Sequence, residues 1–554
     1  MRAHEAVIRL LDAEGVSTLF TLMSEDTMRM LSTISTDWSD RISLIKTRHE
    51  QGAVAMADGY ARSTDGIGVC LVGRGPAIAQ TGSAMLTARR RGSNVLVIVP
   101  EPRLSGQYDL KQYDQECHIR STAETVLSIR SHEALVDDFR EAIRRTRLGD
   151  GPVVVQIPWD ILDGEMSPPD NLAEAMATPP GTVENADARL HPNEELVSEA
   201  VDIYLDSDAY QPPIILAGRG AVKSDARDAL ESLAQRTSAL LTATLQSRHF
   251  FGDHPYYLGF IGSRGSNLAN RYTNESQVVF AFGASLNPYT ADSGHVFGEE
   301  TRVIHIDTDP ATLGQHTVPD LAILGDARVT AEALVAELED RNVNRDGELW
   351  SESLRNEIAN FSVMNDQEFE EIPGTIDPRE LILTLDDVLP SNRSVITDGG
   401  HFTRWVTDAL YTDPEAYVST TEFASIGLGL PIGIGTALGA TDRACVAICG
   451  DSGFMMSLPE LETAVRNEVP LVVIVWNDSC LGTEYHSLDV AGYSGDVAFV
   501  PTPSFAEVAQ SLGAKGYTVS DTDELRDLAA VFTGDEPVVI DCQINHLVRH
   551  RSKL

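Results

Sequence analysis

Two carboxylates, Asp451 and Asp478, each follow a strongly apolar run. Val446-Ala447-Ile448-Cys449 leads into Gly450-Asp451-Ser452-Gly453, and Val472-Val473-Ile474-Val475-Trp476 leads into Asn477-Asp478. Short continuous apolar runs of this kind predict buried strands, so carboxylate and amide oxygens converge at neighbouring strand ends. Such oxygens suit a hard divalent cation: Mg2+ takes octahedral oxygen ligands at about 2.0–2.1 Å and bridges protein carboxylate to phosphate. Backbone N–H groups of Ser452 and Gly453, ahead of a helix expected to begin near Leu458, are free to meet that phosphate. A second segment with chemical potential is Arg48-His49-Glu50-Gln51-Gly52-Ala53, followed by Met56-Ala57-Asp58-Gly59-Tyr60-Ala61-Arg62. On its own, Glu50 at a helix start reads as a cap or a solvated charge. A third, Thr421-Glu422-Phe423-Ala424-Ser425-Ile426-Gly427-Leu428-Gly429-Leu430-Pro431, reads as a glycine-rich turn entering a buried helix. Asp398-Gly399-Gly400-His401-Phe402 ends a further apolar run.

The elements that must position these residues fall into three stretches, each alternating helical patterns with short apolar strands, the pattern of doubly wound parallel sheets. The first carries Val69–Val72, Val95–Val99 and Val153–Ile157, the second Pro213–Gly218, Val278–Gly283 and Val303–Asp307, and the third Ser394–Asp398, the two strands above and Val538–Asp541. The expected fold is therefore α/β, with three doubly wound parallel-sheet domains over residues 1–166, 185–345 and 374–554. A proline-rich, aperiodic linker from Met166 to Gly181 separates the first two, and a polar stretch from Asn360 to Pro373 precedes the third. The first and third domains could be distant structural relatives.

With 554 residues, 42% hydrophobic and 23% charged, the chain reads as a multidomain globular protein. A formal charge of -41 repels nucleic acid and anionic membrane surfaces, so neither is an expected partner. Lysine occurs only at Lys46, Lys111, Lys223, Lys515 and Lys553. An acidic, lysine-poor surface of this kind resembles that of halophile proteins, whose self-repulsion concentrated salt screens over roughly 3 Å at 1 M. Six scattered cysteines without a Cys-x-x-Cys pair fit a reducing cytoplasm. The N-terminal MRAHEAVIRLLDAEGV predicts a domain-opening helix rather than a signal peptide, and no apolar run approaches a membrane span. Ser552-Lys553-Leu554 match a peroxisomal address, which the halophile-like composition argues against.

The stretch from Gly450 to Asp478 resembles the thiamine diphosphate signature, Gly-Asp-Gly through a helix and strand to Asn-Asn, with Ser452 and Asp478 as departures. RHEQGAxxxADGYAR resembles the segment that carries the thiamine-activating glutamate in the acetolactate synthase, pyruvate oxidase and benzoylformate decarboxylase superfamily. The resemblance implies thiamine diphosphate and Mg2+ as cofactors, pyrimidine-binding, central and diphosphate-binding domains in that order, and a 2-oxo acid decarboxylase or carboligase activity. Its implied metal ligands are Asp451, Asp478 and the carbonyl of Cys480, with the register set by Leu481-Gly482. It implies that Glu50 hydrogen-bonds the aminopyrimidine, the Ala424 carbonyl meets the 4'-amino group and Ile426 props the cofactor. Gly399, Gly400, His401, Gly450, Ser452 and Gly453 would line the diphosphate. Gln115 would be a polar active-site contact, while Glu484, His401 and His486 are candidates for proton handling. Some relatives bind FAD centrally; Gly283-Ala284-Ser285-Leu286-Asn287-Pro288 replaces the flavin-binding turn, so FAD is not expected. Because Glu50 and the metal residues meet across a subunit interface in this superfamily, a homodimer or dimer of dimers is expected. Phe20-Thr21-Leu22-Met23-Ser24-Glu25 and Thr483-Glu484-Tyr485-His486 differ from the biosynthetic acetolactate synthases at substrate-facing positions. Alternatives are a lyase or hydrolase acting on a 2-hydroxyacyl thioester or a diketone, and a noncatalytic paralogue.

Overall fold

Strands that are apolar on both faces can only be covered by helices on both sides, and short helical crossovers then force parallel pairing. The computed structural model describes residues 1–550 apart from 65, 105–108, 150, 168–188, 208–210, 363 and 365–366. Most of the expected linker and the C-terminal tripeptide lie outside the described residues. Eighteen strands form three parallel sheets of six. In the first sheet the spatial order is Ser43–Lys46, Thr18–Thr21, Gly68–Leu71, Val95–Glu101, Val153–Pro158, Thr125–Ser128. In the last it is Tyr417–Ser419, Arg393–Thr397, Ala444–Gly450, Leu471–Asn477, Val538–Gln543, Lys515–Val519. Numbered by sequence within each sheet, both run 2-1-3-4-6-5, so the expected kinship of these two units extends to identical topology. The central sheet instead runs 3-2-1-4-5-6, from Tyr257–Phe260 through Ile214–Ala217 and Val278–Phe282 to Leu321–Leu324.

The two outer units are not merely tethered. A single apolar core runs from Ala53–Ala57 and Val97 of the first into Leu428, Ile432, Ala447 and Val473 of the last, whereas the central unit has cores of its own. Its hinge is a pair of helices, Glu50–Ser63 and Gly429–Gly439, that approach backbone to backbone. A Cβ on Gly435 would lie 1.9 Å from the Met56 carbonyl oxygen, and one on Gly59 would lie 2.1 Å from that of Ile432. Arg62 locks the far end: its guanidinium donates to Asp58 at 2.7 and 2.8 Å and to the Ser419 carbonyl at 2.6 Å. No described helix is long and apolar enough to cross a membrane.

One expected element starts elsewhere. The helix placed near Leu458 is two helices, Asp451–Ser457 and Glu460–Arg466. Pro459, which lacks an N–H and clashes with the preceding turn, divides them, and Ser452 and Gly453 therefore occupy the first turn of the earlier helix rather than a loop. The N–H groups of a first turn have no partner within their helix, so their capacity to bind an anion is retained.

Candidate active site

In open α/β sheets, ligands bind beyond the carboxyl ends of the strands where the strand order reverses. For the last sheet that point lies between Arg393–Thr397 and Ala444–Gly450; for the central sheet it lies between Ile214–Ala217 and Val278–Phe282. Both open onto one cavity of about 980 Å³, at the upper end of the roughly 300–1,000 Å³ typical of small-molecule sites. From the last sheet it is lined by Gly399, Gly400, His401, Ala424 and Ile426, then by Gly450, Asp451, Ser452 and Gly453, and finally by Asp478, Cys480 and Glu484. Arg219, Lys223 and Arg264 from the central unit and Arg90 and Arg91 from the first add a cationic lining, beside Asp307 and Asp309. Burial, with Arg62 and Arg219 nearby, lowers the Arg91 pKa to about 9.

Parallel register sets the two carboxylates. Gly450 pairs with Trp476, so Asp451 and Asp478 emerge side by side at the strand ends. Asp451 is 2% exposed and Asp478 7% exposed, and Oδ2 of each has no hydrogen-bond partner. Asp451 Oδ1 accepts from the Ser452 N–H, and Asp478 Oδ1 accepts from the Cys480 N–H at 3.2 Å. Burial raises both pKa values, and the Asp451 charge raises that of Asp478 further. His401 Nε2 lies 3.5 Å from Asp478 Oδ2, yet burial holds its pKa near 3, so the imidazole is neutral and does not neutralise the pair. Two buried, mutually repelling carboxylates with unused oxygens fit a divalent cation, which would relieve both penalties. Burial also pushes the Cys480 thiol well above its usual pKa, leaving its backbone carbonyl rather than a thiolate as a hard ligand. Among the described residues no three His, Cys, Asp or Glu side chains form a metal-binding cluster. The remaining ligands of an octahedral ion would therefore come from backbone, phosphate and water.

Asn477 faces the other way. Its Nδ2 donates to Asp541 Oδ1 at 2.8 Å and its Oδ1 accepts from Thr502 Oγ1 at 3.1 Å, so Asp478 alone of the Asn-Asp pair turns to the cavity. The turn bearing Ala424 and Ile426 also lines it, with Ala424 at φ 59°, a left-handed conformation that an alanine holds only at a cost. Its anchor is Asp398, to which the sequence assigned no role of its own. Fully buried at a strand end, Asp398 accepts from the N–H groups of Gly399 and Gly427, each at 2.8 Å, and from Thr420 Oγ1 at 3.2 Å. A Cβ on Gly453 would sit 2.5 Å from its Oδ2. One carboxylate thus ties the turn after its own strand to the turn bearing Ala424 and Ile426, and packs closely against Gly453. An aspartate at the end of an apolar strand, directly before Gly-Gly, was the available signal.

His401 stands edge-on to His486, with ring centroids 5.4 Å apart. Glu484 is exposed in the first turn of the helix Gly482–Val490 and reaches the same cavity. Three expected site residues, Glu50, Gln115 and His486, are not there. Glu50, half-buried at the start of its helix, does not line the cavity, and neither does Gln115. Gln115 is held inside the first unit, donating to the Pro100 carbonyl at 3.2 Å and Gln156 Oε1 at 3.0 Å and accepting from the Gly75 N–H at 3.2 Å.

Three family profiles match the chain: the thiamine pyrophosphate enzyme N-terminal TPP binding domain at residues 1–122, the central domain at 208–334 and the C-terminal TPP binding domain at 398–542. A probable acetolactate synthase large subunit of Methanocaldococcus jannaschii is 28% identical, covering 98% of this chain and 92% of its own. A putative thiamine pyrophosphate-containing protein of Bacillus subtilis, YdaP, is 26% identical over the same shares of the two chains. The sulfoacetaldehyde acetyltransferase of Castellaniella defragrans is 26% identical over 98% and 91%.

Proposed function

Because the chain belongs to the thiamine pyrophosphate enzymes, which make or break C–C bonds, we propose that it is a Mg2+-dependent 2-oxo acid decarboxylase or carboligase of the acetolactate synthase-like kind. The observation that carries this reading is the pair of buried carboxylates with unused oxygens beside the switch point of the last sheet. Asp451, Asp478 and the Cys480 carbonyl would hold the cation and, through it, the diphosphate. Gly399, Gly400, His401, Gly450, Ser452 and Gly453 would line the diphosphate, Ile426 would support the bent cofactor, and the Ala424 carbonyl would accept from its amino group. When bound, thiamine diphosphate supplies a carbon nucleophile for the substrate carbonyl and accepts the electrons released as the C–C bond breaks.

The protein's own residues supply orientation and proton handling. Glu50 would hydrogen-bond the aminopyrimidine, and since it lies outside the cavity of its own chain, a second copy would deliver it. The homodimer is then the smallest competent unit. The cationic lining of Arg219 and Arg264 suits the carboxylate of a 2-oxo acid, and Glu484 and His401 face the space where a product proton would be exchanged. The test is turnover in concentrated KCl with thiamine diphosphate, Mg2+ and a panel of 2-oxo acids, following carbon dioxide and carbonyl products. Acetolactate from pyruvate selects the carboligase and free aldehyde the decarboxylase. Glu50→Gln is expected to lower kcat by about 10²–10⁴-fold. No turnover of any 2-oxo acid, or an unimpaired Glu50→Gln enzyme, overturns the reading.

A further inference from the structure

Glu460 is a carboxylate to which the chemistry above assigns no part, and its surroundings are unusual. It opens the second of the two short helices that follow the Asp451 turn and is 2% exposed; it forms no ion pair among the described residues, although the Arg48 charge acts on it through space. Instead it reaches into the first unit. The Arg48 N–H donates to both of its oxygens at 3.1 Å, the His49 N–H donates to Oε1 at 3.0 Å, and Thr463 Oγ1 donates to Oε2 at 2.7 Å. His49 is the N-cap of the Glu50 helix, with φ -149° and ψ 148°, and Glu50 is that helix's first residue. The carboxylate therefore grips the two peptide groups just ahead of Glu50. Space has been cleared for it: a Cβ on Gly52 would lie 2.1 Å from Glu460 Oε1.

We propose that Glu460 is a positioning residue for Glu50, fixing the entry of its helix by charge-assisted hydrogen bonds across the junction of the first and last units. The inference rests on the reading of Glu50 given above. A helix start held only by its own cap frays within a turn; here two N–H groups preceding the helix are held by a buried anion, and such bonds are roughly twice as strong as neutral ones. Misplacement of a reacting group by about 1 Å costs on the order of 10²-fold in rate, so the first turn of this helix is where rigidity has most effect. A second tie lies outside it on the surface, where Glu462 holds the Arg48 Nε at 2.6 Å and Arg466 donates to the Lys46 carbonyl at 2.6 Å. That tie fastens the same segment without touching the peptide groups next to Glu50.

The experiment follows exchange of the bound cofactor's C2 hydrogen with solvent deuterium, by rapid quench and NMR, in the full-length holoenzyme. Alongside it, kcat, KM and the melting temperature are measured. Glu460→Gln keeps one acceptor but turns an N–H toward the donors, and Gly52→Ala pushes the carboxylate aside. Each is expected to slow exchange by about 10- to 100-fold, lowering kcat with KM nearly unchanged, and Glu460→Ala should slow it at least as much as Glu460→Gln. Glu462→Gln, the surface control, should exchange at the wild-type rate. If Glu460→Gln and Gly52→Ala melt at lower temperature but exchange like the wild type, the residue only joins the units and the inference fails. Should Glu50→Gln itself exchange normally, the failure belongs to the proposed function instead. If Glu460→Ala does not fold, the other two variants decide.

Discussion

The buried Asp451–Asp478 pair has consequences that do not depend on the substrate. A carboxyl whose folded pKa is raised above its unfolded value favours the fold while protonated, and that contribution is lost as pH rises through the folded value. Asp478, raised by burial and by Asp451 from an ordinary value of 3.8, should therefore make the cation-free protein less stable as pH climbs from acid toward neutrality. Removing the charge ought to relieve the penalty. Asp478→Leu, which removes the charge and both oxygens, is expected to stabilise the cation-free protein by about 1–3 kcal/mol while abolishing the rise in melting temperature that Mg2+ with thiamine diphosphate gives the wild type. A variant that still gains stability from the pair of ligands would remove Asp478 from the cation site. At this scale the sequence was most informative where chemistry needs a particular side chain at a strand end: Asp451, Asp478, Ile426 and Gly399 all line the cavity. It was least informative where a residue serves other residues. Asp398 and Glu460 accept from N–H and O–H groups both near them and on turns remote in sequence, Gly427 and Arg48-His49, and those remote partners follow no spacing rule.

Among the elements, the two packed helices matter most, because they turn separate sheets into a single core. The repeated glycines of Gly429–Gly439 look from sequence like an ordinary buried helix entry, and the run Asp58 to Arg62 looks like part of a catalytic signature. Their structural meaning is different: Gly59 and Gly435 permit backbone contact, and Asp58 and Arg62 clamp the helix to the Ser419–Glu422 turn. Gly435→Ala, whose Cβ would meet the Met56 carbonyl at 1.9 Å, is expected to cost at least about 1–3 kcal/mol by overpacking. Chemical denaturation would register it, and an unchanged midpoint would mean that the helices can separate without loss. The ten strands named from sequence were legible because they are apolar runs buried on both faces, whereas partly exposed strands such as Ser43–Lys46, Thr125–Ser128 and Lys515–Val519 lack that signal. The helix Asp451–Ser457 was not legible because the glycines and serine of Gly450 to Gly453 favour a turn, whereas Pro459 marks a helix start that fits Glu460–Arg466.

For the whole molecule, the decisive fact is that Glu50 and the cation residues of one chain do not share a cavity. If a second copy supplies Glu50, two crippled chains should repair one another. Glu50→Gln and Asp478→Leu homodimers, each inactive, would on dissociation and random reassociation form mixed dimers with one intact site and one doubly damaged site. Activity should return to about a quarter of the wild-type level in such a two-fold assembly. Activity that stayed at zero after proven subunit exchange would place both residues in one chain's site. The matching 2-1-3-4-6-5 order of the first and last sheets gives the two units the same switch point on which a site could be built. In the proposed reading they divide the labour, one supplying the cation's anchor and the other the acid. Each would then complete a site only with its counterpart from another molecule, so that twin units of one chain become halves of two separate workplaces.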